Sequence, residues 1–470
     1  MPDDLEVSGG SSAVSTEDLE VAAEQLARLA GEASALAADL GRLEPPFMHT
    51  SSHVDQAALD IDVAASTLQE VAGRAHAIRE SLVTAARVYE LSERMTAMGI
   101  RFFETVVAHS AGSHLPGLLI GSAGLSAFVG GVWIGLRAMG GLDELTNKAF
   151  EKKGIPSAPS WLREHNYLIN NPVTATAVRV GAQSSGPFLL GAAGAPGWVP
   201  PLLGHRAYEL ASRGLIGGGR SLDIFEQTGV KLVETQQLQT TAPPRDYVDR
   251  LARVPYEEDG SGPQVVIEKY TAPGEPDKYC VYITGTADFN PATTDQPWDM
   301  TSNLENAAGR ESGSAAAVRA AMESAGIDEN SPVQFTGYSQ GGGTAASLVA
   351  SGLYNTQGLT TFGGPTGQIP IPSGFPTVLV EHSDDIVPAL GGEQSNAGAV
   401  LVRRDVFSGE EIPTDYAVVS HHIEYYLQTA RLMDESGSPQ LDQSMRQLDF
   451  FTDGATLESS TAYRFERTEG

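Results

Sequence analysis

The sequence predicts an α/β fold, a mostly parallel sheet covered by helices, preceded by an all-α N-terminal helical domain. Three observations predict it. From about Asp246 onward, short apolar runs alternate with helical stretches, the pattern of a sheet with helices on both faces. Before that point, apolar residues recur at helical spacing instead. Within the later region, Val333 to Val349 reads as a strand, a glycine turn and a helix in direct succession.

A chain of 470 residues has room for two or three domains, and 41% hydrophobic residues can build a substantial core. The net charge of −29 argues against nucleic-acid binding and against docking on anionic lipid by charge. It suits a salty or extracellular setting. The single cysteine, Cys280, excludes an internal disulfide framework and argues against a zinc site. It lies in a predicted strand and reads as a small buried hydrophobe. No cofactor or metal is implied.

Taken in order, residues 1–14 are polar and acidic and read as a disordered tail without a basic or apolar leader region. Ser15 to Asp18 is capping-box-like. Leu19, Ala22, Ala23, Leu26, Leu29, Ala33, Leu36 and Leu40 then form an apolar helical stripe. Glu44-Pro-Pro-Phe47 breaks the helix, and Ser52 to Asp55 starts a second, with Leu59, Val63, Leu68, Val71, Ala75, Ile78 and Leu82 as its stripe. Residues 15–110 are thus expected as a helical hairpin or bundle. Residues 111–245 read as a Gly/Ala-rich apolar helical connector. Within it, Leu115 to Leu136 is 22 residues without a charge. That length fits either a membrane-contacting segment or a buried connector.

Residues 246–470 form the α/β domain with its C-terminal tail. Gln264 to Tyr270 and Lys278 to Ile283 are predicted strands, and Glu305 to Ala325 is a predicted helix. Val333 to Thr336, Leu359 to Phe362 and Thr377 to Glu381 are further strands, and His421 to Met433 a helix. Gly337-Tyr-Ser-Gln-Gly341 is a G-x-S-x-G turn between strand and helix. Such a turn lifts a serine hydroxyl above the sheet, beside unpaired helix N–H groups that suit an oxyanion. Serine needs a histidine to take its proton and a carboxylate behind the imidazole. Downstream of Ser339, Asp384 and Asp385 stand at the carboxyl end of a predicted strand. The remaining histidines are His382, His421 and His422. Asp288 and Asp299 read as turn formers, and Trp298 as a packing residue.

Four segments together resemble the class 3 (fungal-type) lipase branch of α/β-hydrolases, over about residues 280–430. Ile283-Thr-Gly-Thr286 resembles its oxyanion strand, and Gly337 to Gly341 its elbow. His382-Ser-Asp-Asp-Ile-Val-Pro388 resembles its acid turn, and His422-Ile-Glu-Tyr425 its His-x-x-Tyr turn. Phe362-Gly-Gly-Pro365 also matches a turn of that family. The resemblance implies an α/β-hydrolase with Ser339, Asp385 and His422 as triad. Asp384 and His421 are the runners-up, and Thr286 and Gln340 supply the oxyanion N–H groups. Thr284 stands where the family usually has Arg, and no lid is recognisable, so the resemblance does not extend to long-chain lipid.

The N-terminal helices resemble the Trp-X-Gly helical-hairpin substrates of type VII secretion. Tyr89-Glu-Leu-Ser-Glu93 fits their Tyr-x-x-x-Asp/Glu export signal, while Leu43-Glu-Pro-Pro-Phe47 replaces their Trp-X-Gly turn. This implies a secreted or cell-surface protein with a secretion-machinery or helical-hairpin partner. The alternative is a cytoplasmic or membrane-associated protein. The expected activity is hydrolysis of a small-molecule or lipid acyl ester through an acyl-enzyme. The alternatives are an export-linked or membrane-associated interaction protein on a non-catalytic hydrolase fold, or another serine acyl-transfer enzyme: thioesterase, peptidase or acyltransferase.

Overall fold

The structure is a computed structural model. It describes residues 5–9, 163–192 and 227–468, except 240–241, 258–259, 289–293 and 409, together with scattered residues within 27–79 and 203–216. Tyr89, Glu93 and Leu115 to Leu136 lie outside the described residues. The chain divides into two compact units, residues 11–102 and residues 1–10 with 103–470. No described helix is long and apolar enough to cross a membrane.

In the smaller unit, described residues within 27–39 and 64–73 are helical. Ala30 and Ala72 are buried together, with Ala33 packed against them. Leu36 and Val71, expected on the buried stripe, are 53% and 51% exposed. Among the described residues, small alanines make the buried contact, which lets helix backbones approach closely.

The larger unit is built on a mixed sheet, nine-stranded among the described residues. The strands are β1 (Leu5–Gly9), β2 (Val230–Gln237), β3 (Val265–Thr271), β4 (Lys278–Ile283) and β5 (Pro332–Tyr338). They continue with β6 (Asn355–Phe362), β7 (Thr377–His382), β8 (Val400–Arg404) and β9 (Thr456–Arg467). Their order is β1-β8-β7-β6-β5-β4-β3-β9-β2. Strands β4 to β8 pair in parallel, and the margins on both sides are antiparallel. The α/β class therefore holds, with parallel pairing confined to the centre. Side chains alternate between two cores: Cys280 and Tyr282 of β4 enter one, Tyr279, Val281 and Ile283 the other. This two-residue period buries both faces of the sheet.

Several expected boundaries move. Leu5–Gly9, assigned to a disordered tail, is an edge strand antiparallel to β8, with Leu5 buried in the core. Val230–Gln237, assigned to the helical connector, is strand β2. It is exposed along almost its whole length, so no apolar alternation marked it. The sheet thus begins before residue 246. The long helix expected over Glu305 to Ala325 is two, Met300–Ala307 and Gly313–Ser324. Gly309 at φ 62° breaks them, and Ser312 caps the second by accepting from the Ala315 N–H. The last predicted helix begins at Ile423, after a 3-10 turn over Val419–His421.

Candidate active site

Strand β5 ends at Tyr338 and the helix Gln340–Ala350 starts two residues later, leaving Ser339 at φ 53° and ψ −123°. A non-glycine residue holds such a conformation only where its surroundings enforce it. Glycine makes the turn possible. A Cβ at Gly337 would lie 2.3 Å from the Gly341 oxygen, and one at Gly341 would lie 2.3 Å from the oxygens of Ile283 and Thr284. The Phe362-Gly-Gly-Pro365 turn packs against the elbow, with Gly363 at φ 65° under the Tyr426 ring.

Ser339 Oγ lies 2.8 Å from His421 Nε2, and His421 Nδ1 lies 2.6 Å from Asp385 Oδ2. Asp385 caps the short helix Ile386–Ala389, its Oδ1 accepting from the Val387 N–H at 2.8 Å. Its Oδ2 also accepts from the Tyr426 hydroxyl at 2.9 Å. Burial, reinforced by the Asp385 charge, raises the Tyr426 hydroxyl well above its ordinary pKa, which keeps it a donor. The Tyr338 ring stacks on His421 at 5.3 Å between centroids, and its hydroxyl donates to the His421 oxygen.

His422, favoured by the His-x-x-Tyr spacing, does not meet Ser339; His421 does. The reason is backbone geometry. His421 closes the 3-10 turn, whereas His422 is the extended cap of the next helix, at φ −63° and ψ 139°. The two rings therefore diverge. The His422 ring stacks on Tyr416 at 4.5 Å and meets Tyr256 edge-on at 6.1 Å. The tyrosine that reaches the acid is Tyr426; Tyr425 packs edge-on against Phe407.

The neighbouring polar residues do different work. Asp384 turns away: its Oδ1 accepts from the Val406 N–H at 3.3 Å, while its buried Oδ2 has no hydrogen-bond partner among the described residues. Burial pushes its pKa up to about 6. His382 is buried against Tyr426, its Nδ1 2.6 Å from the Ser420 oxygen and its Nε2 2.8 Å from Thr429 Oγ1. Burial lowers its pKa to about 4, so it is a neutral structural histidine.

Thr286 and Gln340 both border the elbow. Gln340 is the first residue of its helix, so its N–H has no partner in the helical ladder. The loop carrying Thr286 crosses directly over Ser339: a Cβ at Gly285 would lie 3.0 Å from the Ser339 Cβ. Asn303 Nδ2 donates to Thr286 Oγ1 at 3.1 Å, and Gln340 Nε2 to the Asp299 oxygen at 3.1 Å. Asp299 is more than a turn former. Arg467 at the end of β9 grips its carboxylate with two hydrogen bonds of 2.9 Å.

Comparison with protein-family models, with curated proteins and with solved structures finds no match to this chain.

The region between the N-terminal helices and the sheet, which showed no chemical constellation in the sequence, braces the site. Asn170 Oδ1 accepts from the Ser420 N–H at 3.0 Å and lies 2.9 Å from Ser420 Oγ. Its Nδ2 donates to the Ala417 oxygen at 2.7 Å. Asn166 Nδ2 donates to the Pro413 and Tyr416 oxygens. Ala175 and Val178 of the helix Pro172–Ala192 pack on Ile386 and Ala389, just beyond the acid. Nothing local in the sequence announces these contacts, whose hydrogen bonds join residues about 250 positions apart.

Proposed function

We propose that this chain is a serine ester hydrolase of α/β-hydrolase type, cleaving carboxylic esters through an acyl-enzyme. The observation that carries the reading is the Ser339–His421–Asp385 relay, with contacts of 2.8 and 2.6 Å, at a strained strand-to-helix turn. Ser339 Oγ attacks the ester carbonyl while His421 Nε2 takes its proton. Asp385 orients the ring and stabilises the imidazolium. The Gln340 and Thr286 N–H groups receive the oxyanion. Collapse breaks the bond between the acyl carbon and the alkoxy oxygen, and His421 returns the proton to the departing alcohol. Water, deprotonated by His421, then releases the acid and restores Ser339.

Reaction of the full chain with a fluorophosphonate, followed by peptide mapping, tests the reading. Labelling of Ser339 and turnover of p-nitrophenyl acetate are expected. Ser339→Ala should lose on the order of 10⁶ in kcat. An unlabelled Ser339, or a variant keeping a tenth of the activity, would favour a non-catalytic interaction protein instead.

A further inference from the structure

The cleft above Ser339 has a volume of about 210 Å³. That is below the roughly 300–1,000 Å³ of sites that enclose drug-sized ligands. A space of that size suits a short acyl group.

Its two sides differ in kind. One is aromatic and runs outward from the triad: Tyr338 against His421, then Tyr256, His422 and Tyr416. Tyr256 and Tyr416 are 36% and 41% exposed at its mouth. The other side is backbone and small residues of the Thr284–Ala287 loop, with Gly260 and Gly262 beyond. That side lies directly against Ser339 and Tyr338, with no room for a Cβ at Gly285. Glu257 stands at the wall, in a chain of net charge −29.

We propose that the cleft takes a compact, uncharged carboxylic ester, its acyl part of about four carbons or fewer lying on the Tyr256–His422–Tyr416 face. This rests on the serine hydrolase reading above. Aromatic faces bind flat or short apolar groups through contact area and ring quadrupole, and the opposing backbone side sets the width. A longer chain has to leave the cleft for water and gains nothing there. A carboxylate on the substrate meets Glu257 and is repelled.

The test uses the full chain with p-nitrophenyl acetate, butyrate, octanoate and palmitate, and with the mono-anionic succinate ester. The leaving group is constant, so kcat/KM reports the acyl part alone. Acetate and butyrate should exceed octanoate and palmitate by tenfold or more, and Tyr416→Ala should narrow that gap. At low salt the succinate ester should run about fivefold slower than butyrate, as expected for like charges about 4 Å apart through water, and Glu257→Gln should restore most of it. Fluorophosphonate labelling of Ser339 in the same preparation separates the two claims. A labelled enzyme that prefers octanoate or palmitate overturns the size claim alone. A labelled enzyme that takes succinate as readily as butyrate overturns the charge claim. An unlabelled Ser339 overturns the hydrolase reading and this proposal with it.

Discussion

Ser339 and His421 are held by contacts that leave each little freedom, and neighbouring side chains of the same chemistry are turned elsewhere. His421→Ala should remove the base and cost on the order of 10⁵–10⁶ in kcat. His422→Ala, which trims the aromatic side of the cleft, should stay within about tenfold; p-nitrophenyl acetate kinetics rank the two. A second residue-scale prediction concerns pH. Asp384 has its pKa raised by burial, so it contributes stability at low pH that is lost as pH rises through about 6. His382 has its pKa lowered by burial to about 4, so it contributes stability above about 6.5 that is lost as pH falls. Between pH 4 and 6 the two slopes oppose each other. Asp384→Asn removes one, so its unfolding free energy should rise with pH across that window more steeply than the native chain's, by up to about 1.4 kcal/mol per unit. Urea titrations at pH 4.5 and 6 would show the difference; parallel curves would refute it.

At the scale of elements, the turn that carries His421 has no regular structure beyond one 3-10 turn, and its position is set from outside. Asn170, at the start of the Pro172–Ala192 helix, holds Ser420 and Ala417 by side-chain hydrogen bonds. Asn170→Ala leaves the Ser420 N–H and the Ala417 oxygen unpaired, a loss of about 1–3 kcal/mol in stability. It also frees the histidine turn. We expect kcat for a short ester to fall about tenfold or more with KM little changed, since Asn170 does not line the cleft. Equal activity after correction for folded protein would show that the turn holds its position without it. The Asp299–Arg467 pair has the same kind of role on the other side of Ser339, tying the last strand to the loop of Thr286.

At the scale of the whole molecule, the larger unit is discontinuous. Its first strand comes from residues 1–10 and the rest from residues 103–470, with the smaller unit inserted between. A fragment starting at residue 103 therefore lacks β1 and exposes the edge of β8. It should be less stable than the full chain by on the order of 2 kcal/mol, from the lost ladder and the unburied Leu5. Adding a peptide of residues 1–10 should raise its melting temperature. A fragment as stable as the full chain would show that β1 is dispensable.

Much of this could be read locally. The strand–glycine–helix punctuation around Ser339 is legible because the close approach at Gly337 is to Gly341, a neighbour in sequence, although Gly341 itself is crowded by Ile283 and Thr284 of β4 and its loop. The centre of β7 is legible because a strand covered on both faces carries an unbroken apolar run, here Val378 to Val380. Asp385 and Asp384 could be placed at the end of that strand for the same reason. Three things were decided only by the tertiary structure. The 3-10 turn gives the Ser339 contact to His421, because a one-residue offset at a helix cap sends adjacent rings in different directions. Edge strands β1 and β2 are recruited by partners across the sheet, and an exposed edge carries no apolar period of its own. Asn166, Asn170 and Arg467 reach the site across long stretches of chain. Their partners are backbone groups and a carboxylate that only folding brings within hydrogen-bond distance, and no periodicity records such pairings.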